Sequence, residues 1–124
     1  MTSLFDSLRV GAMAAPHRVF MAPMTRNRAT SAGVPTDLMA EYYAQRASFG
    51  LIISEGVQPA AIGQGYPNTP GVHDDEQTAG WKRVADAVHS AGGHIFVQLM
   101  HAGRISHFDV TGAQPVAPSA VTPA

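Results

Sequence analysis

Three nearly continuous apolar runs limit the folds that this chain can adopt. They are residues 19–24 (VFMAPM), 51–54 (LIIS) and 95–100 (IFVQLM). A run that does not alternate between apolar and polar residues is typical of a strand buried on both faces, as in a parallel sheet covered by helices. The segments between the runs agree with this interpretation.

Both intervening segments carry apolar residues at helical spacing. The first helix is predicted to begin at Pro35–Thr36 and to end before Gly50. The second is predicted to begin where Asp74 and Gln77 resemble a capping box, and to end at Gly92–Gly93.

The order of the predicted elements restricts the architecture to two kinds. A short hairpin at residues 8–19 is followed by strand, helix, strand, helix and strand. This order fits either a doubly wound sheet or part of a (β/α)8 barrel. A dinucleotide-binding doubly wound sheet would carry a GxGxxG turn after its first strand, and residues 22–35 (APMTRNRATSAGVP) lack it.

Polar residues follow the predicted strands at their carboxyl ends. In both architectures ligands bind beyond these ends, at the edge of the sheet that we term the rim. The rim candidates are Thr25 and Arg26 after the first strand, Glu55 and Gln58 after the second, and Gln98, His101 and Arg104 after the third. The sequence therefore predicts that polar side chains collect on one rim.

Composition excludes several classes of function. The 124 residues fit one domain, and 45% hydrophobic with 14% charged residues is globular composition. Eight scattered Lys and Arg at a formal net charge of -1 leave no basic stripe for nucleic acid, and the lack of cysteine excludes disulfides and thiolate metal sites. No signal peptide pattern is present and no apolar run approaches about 18 residues, so we expect a cytoplasmic protein without a membrane span.

Two of the possible chemistries at the rim have simpler alternatives. A metal site formed by His101 and His107 with His73 is disfavoured, because His101 and His107 are too far apart in sequence. Ligand pairs on one element usually lie about three to five residues apart. Glu55 is either a general base or, as we favour, the ion-pair partner of a nearby arginine such as Arg26 or Arg104.

Three other polar or aromatic residues are weighed against a purely structural role. The Thr25 hydroxyl lies where strand-end hydroxyls usually bind backbone groups. Gln98 is harder to explain structurally, because an amide in an apolar strand costs free energy unless it is partnered, and its donor and acceptor suit a planar heterocycle. Tyr66, in the long irregular segment 57–73, is either a lid residue or a loop aromatic.

Four segments, in order and in spacing, closely resemble the old yellow enzyme family of flavin-dependent ene-reductases. They are residues 18–28 (RVFMAPMTRNR), 41–58 (EYYAQRASFGLIISEGVQ), 65–73 (GYPNTPGVH) and 98–107 (QLMHAGRISH). The resemblance implies an FMN-containing (β/α)8 barrel that takes hydride from NAD(P)H. It also implies a small-molecule substrate, an electron-poor alkene such as an enone, maleimide or nitroalkene, and reduction of nitro compounds by some members.

The resemblance also implies roles for residues of this chain at the flavin. Pro23, Met24 and Thr25 correspond to the segment along the flavin, and the Thr25 hydroxyl is implied to donate to O4 and so to tune the potential of the ring. Gly56 stands where the family often has alanine, with a backbone contact to the flavin edge. Gln98 corresponds to the glutamine that hydrogen-bonds the pyrimidine part of the flavin.

The same resemblance divides the remaining rim residues into substrate and structural positions. Tyr66 and Met100 correspond to substrate-pocket positions, and Met100 stands where close relatives often carry tryptophan, which implies a more adaptable pocket. His101, Gly103 and Arg104 belong to the motif and are expected to brace the turn.

The family's barrel runs well beyond this chain, because a complete barrel takes about 250 residues. We expect residues 1–124 to form an incomplete N-terminal segment of an FMN-binding barrel domain, about three βα units with a preceding hairpin. The His-Asn or His-His pair that binds the substrate oxygen, the tyrosine proton donor and the FMN phosphate site come from later strands in the family.

The chain alone is therefore expected to be inactive, and three interpretations stay open. We favour the N-terminal portion of an ene-reductase that lacks its C-terminal part. The alternatives are one piece of a split barrel that docks on a complementary chain, which would cover its unpaired strand edges, and a flavin or small-molecule binding module without catalysis. A metal-dependent hydrolase is a more distant alternative.

Overall fold

The chain folds into a hairpin followed by an α/β unit. The computed structural model describes residues 2–121. Its strands and helices are β1 (Leu8–Val10), β2 (Met13–Ala15), β3 (Phe20–Met21), α1 (Asp37–Ala44), β4 (Leu51–Val57), α2 (Asp75–Ser90), β5 (Ile95–Leu99) and α3 (Phe108–Thr111). Single 3-10 turns lie at Ala61–Gly63 and Gly103–Ile105.

The parallel sheet has the predicted strand order, with β4 in the centre between β3 and β5. Phe20 pairs with Leu51, and Ile52 pairs with Ile95. The register between β4 and β5 shifts between Ile53 and Gly56. Because such a shift breaks the strict alternation of side chains, the carboxyl end of β4 can bury several neighbouring residues.

The core lies between this sheet and the two longer helices. It consists of buried side chains from β3, α1, β4 and α2, with Ala29 from the loop: Met21, Ala29, Met39, Tyr43, Ile52, Val57, Trp81, Val84 and Val88. By contrast β5 is poorly covered, since Phe96 is 44% and Leu99 66% exposed. Among the described strands, β5 pairs with β4 alone. One edge of the parallel sheet is therefore open and apolar.

Two predicted elements are shorter than expected. The first strand was predicted from the run 19–24 and spans only Phe20–Met21, because Pro23 has no N–H to donate to a strand ladder. The first helix ends at Ala44, well before Gly50, and residues 45–50 continue as turns.

The start of α2 confirms half of the predicted capping box. The Asp74 side chain accepts a hydrogen bond from the Gln77 amide at 2.8 Å. The Gln77 side chain, however, accepts from the His73 amide at 3.0 Å, one residue before the cap. Gln77 also donates to the Ala32 carbonyl at 2.9 Å and so joins the helix to the loop after β3.

The chain after β5 forms one short helix, α3. His107 caps this helix by accepting from the Asp109 amide at 3.2 Å. The last three residues of the expected segment, 122–124, lie outside the described residues. Within residues 2–121, no helix is long and apolar enough to cross a membrane.

Candidate functional site

The rim residues after β3 form an exposed irregular segment. Pro23, Met24 and Thr25 are all exposed, and Met24 keeps 44% of its surface accessible. This is the end of the sheet at which β3, β4 and β5 all finish, because the three strands are parallel. The segment therefore offers one apolar side chain, one proline ring and one hydroxyl to a ligand on the rim.

Gly56 and Met100 meet at the ends of β4 and β5. A Cβ atom built on Gly56 would lie 2.5 Å from Met100 Cε and 2.9 Å from its Sδ. The Met100 amide donates to the Val57 carbonyl at 2.9 Å, which continues the pairing of the two strands. The thioether thus occupies the space that a side chain at position 56 would take.

Gln98 lies beside Gly56 in the strand register and is half-buried. Its backbone amide donates to Ser54 Oγ at 3.0 Å. Its side-chain amide makes no hydrogen bond with any of residues 2–121. A half-buried amide with free donors and acceptor fits a planar ligand that carries both kinds of group.

Glu55 differs from its predicted role as an ion-pair partner of an arginine. Its side chain is fully buried, and its Oε2 accepts from the backbone amide of Arg26 at 3.2 Å, not from a guanidinium. The Arg26 guanidinium lies 5.4 Å from the centre of the Tyr42 ring instead. Arg104 binds the carbonyl of Val121 at 2.7 Å. The expected ion pair of Glu55 is therefore wrong for both arginines.

Tyr43 is the second partner of Glu55. The Tyr43 hydroxyl donates to Glu55 Oε1 at 3.1 Å and accepts from the Glu55 amide at 2.9 Å. Burial raises the pKa of the Glu55 carboxyl, and the hydrogen bonds from the Arg26 amide and Tyr43 oppose that rise. Burial also raises the pKa of Tyr43, which remains a hydroxyl donor.

The turn after β5 is braced by its own polar residues. His101 Nδ1 accepts from the Gly103 amide at 2.9 Å, and Gly103 has a left-handed backbone with φ of 60°. Arg104 also donates to Ser119 Oγ at 3.1 Å. The part of the chain that the structure describes contains no group of three or more His, Cys, Asp or Glu that could hold a metal ion.

Tyr66 lies in an ordered loop that is tied to the rim. Tyr66 is 53% exposed, and its carbonyl accepts from Thr69 Oγ1 at 2.9 Å. Next to it, the Pro67 carbonyl accepts from Asn27 Nδ2 at 2.7 Å, and the Asn68 carbonyl accepts from the Ala29 amide at 3.1 Å. These bonds place the loop against the segment that follows Thr25.

Sequence reasoning missed Tyr43 and Asn27 as residues that organise this site. Tyr43 fits the apolar face of the first helix, and its partner Glu55 lies within the register shift of β4, which the sequence does not reveal. Asn27 has a left-handed backbone with φ of 53°. Asparagine in the short TRN segment was the available signal, because this residue adopts that conformation more readily than most.

Comparison with known proteins establishes the family. Residues 3–124 match the model of the NADH:flavin oxidoreductase / NADH oxidase family. The match covers nearly the whole chain. The chain belongs to this family of FMN oxidoreductases.

Similar proteins agree in both sequence and structure. The chain is 48% identical over 116 residues to 12-oxophytodienoate reductase 7 of Oryza sativa subsp. japonica, covering 91% of this chain and 29% of that protein. It matches the old yellow enzyme homologue from Zymomonas mobilis with a TM-score of 0.94 and 55% identity, over 97% of this chain and 34% of that one. Morphinone reductase in complex with tetrahydroNAD gives a TM-score of 0.93 and 50% identity, over 98% and 34%.

These matches confirm the predicted fold class. The chain has the α/β fold of the N-terminal part of an old yellow enzyme TIM barrel. It spans about a third of the length of the relatives that it matches. The preceding hairpin, the three parallel strands and the helices α1 and α2 between them are the elements that it supplies.

Proposed function

We propose that this chain supplies the first third of the barrel of an FMN-dependent ene-reductase, which reduces activated alkenes and nitro compounds with NAD(P)H. The supporting observation is the composition of the rim, where an exposed Pro23–Thr25 segment adjoins a glycine and a half-buried glutamine with a free side-chain amide. The chemistry that FMN supplies when bound is hydride transfer from NAD(P)H to the β-carbon of an electron-poor alkene.

The residues of the rim fit a flavin by their chemistry. The exposed side chain of Met24 and the ring of Pro23 offer an apolar surface to an isoalloxazine, and Thr25 offers a hydroxyl donor for its carbonyl oxygen. Gln98 offers donor and acceptor together to the pyrimidine part. Gly56 is proposed to contact the flavin through its backbone, because the Met100 thioether occupies the space that a side chain at position 56 would take.

The substrate pocket is proposed to form between Tyr66 and Met100. Tyr66 is exposed on a loop that hydrogen bonds fix to the segment after Thr25. Met100 is half-buried and has a flexible thioether, which can adapt to substrates of different shape. We propose that both side chains contact the activated alkene, and that neither transfers a proton.

The open edge at β5 supports the proposal that this chain acts together with the rest of a barrel. Phe96, Val97 and Leu99 are 44%, 41% and 66% exposed, and the described structure pairs no strand with the outer edge of β5. An exposed apolar edge is the surface on which a further parallel strand and its helix would be buried. We propose a cytoplasmic protein in which residues 1–124 are one incomplete segment of the FMN barrel domain.

Flavin binding and turnover test the proposal. The isolated chain, mixed with FMN, NADPH and a maleimide, is expected to quench little flavin fluorescence and to leave NADPH absorbance unchanged. Co-expression with the part of the Zymomonas mobilis homologue outside the matched third is expected to give a yellow complex that oxidises NADPH when maleimide is added. A colourless complex would contradict the proposed FMN site, and turnover by the isolated chain would contradict its inactivity.

A further inference from the structure

The buried carboxylate of Glu55 has no role in the proposed flavin or substrate contacts. Its side chain is fully buried, yet both of its oxygens are hydrogen-bonded. A buried carboxylate is costly unless it is paired or well hydrogen-bonded. A leucine at this position would avoid the free-energy cost of burying a charge. We therefore look for the role of Glu55 in the hydrogen bonds that its carboxylate accepts.

One of these bonds reaches the peptide that joins Thr25 to Arg26. The amide of Arg26 belongs to the same planar unit as the carbonyl of Thr25. When Glu55 Oε2 accepts from this amide at 3.2 Å, it fixes the orientation of that plane. The backbone of Thr25, and with it the direction of its side chain, is thereby restricted.

Few other bonds hold this part of the rim. Residues 22–28 contain no helix or strand, and from Pro23 to Arg28 the chain makes no backbone–backbone hydrogen bond with the described residues. Asn27 ties the segment to Pro67 through its side chain. Among the hydrogen bonds of residues 2–121, the bond to Glu55 joins this segment to the central strand of the sheet.

Tyr43 holds Glu55 from the other side, and we term the hydrogen bonds among the Arg26 amide, Glu55 and the Tyr43 hydroxyl the ring. Its hydroxyl donates to Oε1 and accepts from the amide of Glu55, so both ends of the residue are held by one side chain of α1. Tyr43 is itself 1% exposed. The carboxylate therefore has a fixed position between helix α1, strand β4 and the rim segment.

We propose that Glu55 is a positioning residue for Thr25: it holds the Thr25–Arg26 peptide, and so sets the direction in which the Thr25 hydroxyl meets the flavin. This inference rests on the proposed role of Thr25 at the flavin. Tyr43 acts one step further away, by holding the carboxylate.

Amide hydrogen exchange in the chain tests the contact without any flavin. In Glu55→Gln, the one carbonyl oxygen of the neutral side chain replaces the two carboxylate oxygens that accept from the Arg26 amide and the Tyr43 hydroxyl. Charge-assisted hydrogen bonds are about twice as strong as neutral ones, so the bond to the Arg26 amide is weakened or lost. We expect the Arg26 amide to exchange about tenfold faster than in the wild type, relative to the Ile52 amide, a change of about 1.4 kcal/mol. Ile52 is the reference because its amide binds the His94 carbonyl at 2.9 Å and does not touch Glu55.

Two further variants separate positioning from general stability. Tyr43→Phe keeps the bond from the Arg26 amide and is expected to accelerate its exchange, relative to the Ile52 amide, less than Glu55→Gln does. Val88→Ala removes buried volume from α2, away from the ring, and is expected to change both amides by the same factor. If Glu55→Gln also changed both amides equally, or left Arg26 unchanged, the positioning role would be refuted.

The flavin potential tests the consequence, in the complex of the chain with the remaining part of the barrel. Thr25→Val removes the hydroxyl donor and is expected to lower the midpoint potential of bound FMN. Glu55→Gln is also expected to lower the midpoint potential. The double variant is expected to lower it no further than Thr25→Val alone, and Val88→Ala is expected to leave it unchanged. Additive shifts, or no shift in Glu55→Gln, would overturn the inference. If the wild-type complex held no FMN, the proposed function would fail, and the exchange experiment would still decide whether Glu55 holds the Thr25–Arg26 peptide.

Discussion

Replacing Gly56 by alanine is expected to destabilise the chain through one side chain, Met100. The new Cβ would lie 2.5 Å from Met100 Cε, 2.9 Å from Sδ and 3.2 Å from Cβ. Carbon atoms in contact prefer about 3.5–4.0 Å, so the thioether has to move by about 1 Å or more. Overpacking costs about 1–3 kcal/mol, and we expect the lower end because methionine is flexible.

Removing the methionine should reverse the sign of this effect. In a Met100→Ala background the clash is gone, and the remaining effect of Gly56→Ala is a less flexible unfolded chain, which stabilises by about 0.4–1 kcal/mol. The coupling between the two positions is therefore expected to be about 1.5 kcal/mol.

Urea unfolding of the chain, followed by circular dichroism, measures all four members of this cycle. Gly56→Ala is expected to lower the urea midpoint in the wild-type background and to raise it slightly in the Met100→Ala background. An equal change in both backgrounds would refute the reasoning, because the cost would then come from the strand backbone and not from the thioether.

Three other substitutions test the contacts around the rim and helix α2. Because burial raises the folded-state pKa of Glu55 above 4.5, its protonation stabilises the fold fully below that pH, and this stability is lost as pH rises through the raised value. The free energy of unfolding should therefore fall with rising pH above 4.5 more in the wild type than in Glu55→Gln, and parallel pH profiles would contradict this sign. Tyr43→Phe leaves the Glu55 amide and Oε1 without their buried partner, so chemical denaturation should show a loss of about 1–3 kcal/mol; a neutral result would mean that water replaces the hydroxyl. Asp74→Ala removes the cap of α2 and should cost about 1 kcal/mol by the same assay, with the exposed Asp75→Ala as a control of smaller effect.

The strand and helix order was predictable because it depends on local patterns. Apolar runs at β4 and β5, helical spacing before Gly92, and Asp74 as a cap each carry their signal within a few residues. The short first strand was also within reach, since Pro23 cannot donate to the ladder. The apolar run 19–24 by itself predicts a longer strand than the observed Phe20–Met21.

The partners of Glu55 could not be predicted from the sequence. They depend on the register shift between Ile53 and Gly56, and a shift of one residue sends a strand's side chains to the opposite face. The sequence pattern favoured an arginine as the partner of Glu55, whereas the backbone amide of Arg26 and the Tyr43 hydroxyl take that place.

Gln98, unlike Glu55, could be singled out from the sequence. Its prediction rested on the free-energy cost of an unpartnered amide in an apolar strand and not on the strand register. An amide in an apolar strand was expected to need a partner, and within residues 2–121 its side chain has none. Its proposed partner is the flavin. The family match identifies the class of cofactor, and the contact itself stays a prediction.

The FMN content of the reassembled barrel tests the central proposal most directly. We would co-express the chain with the remaining part of the Zymomonas mobilis homologue, purify the complex through a tag on the chain, and measure FMN by its visible absorbance after denaturation. The proposal predicts equimolar FMN in the wild-type complex and a marked loss in Gln98→Leu, with Val88→Ala retaining the flavin. A folded wild-type complex without FMN, or a Gln98→Leu complex with undiminished FMN affinity, would contradict the proposed rim site.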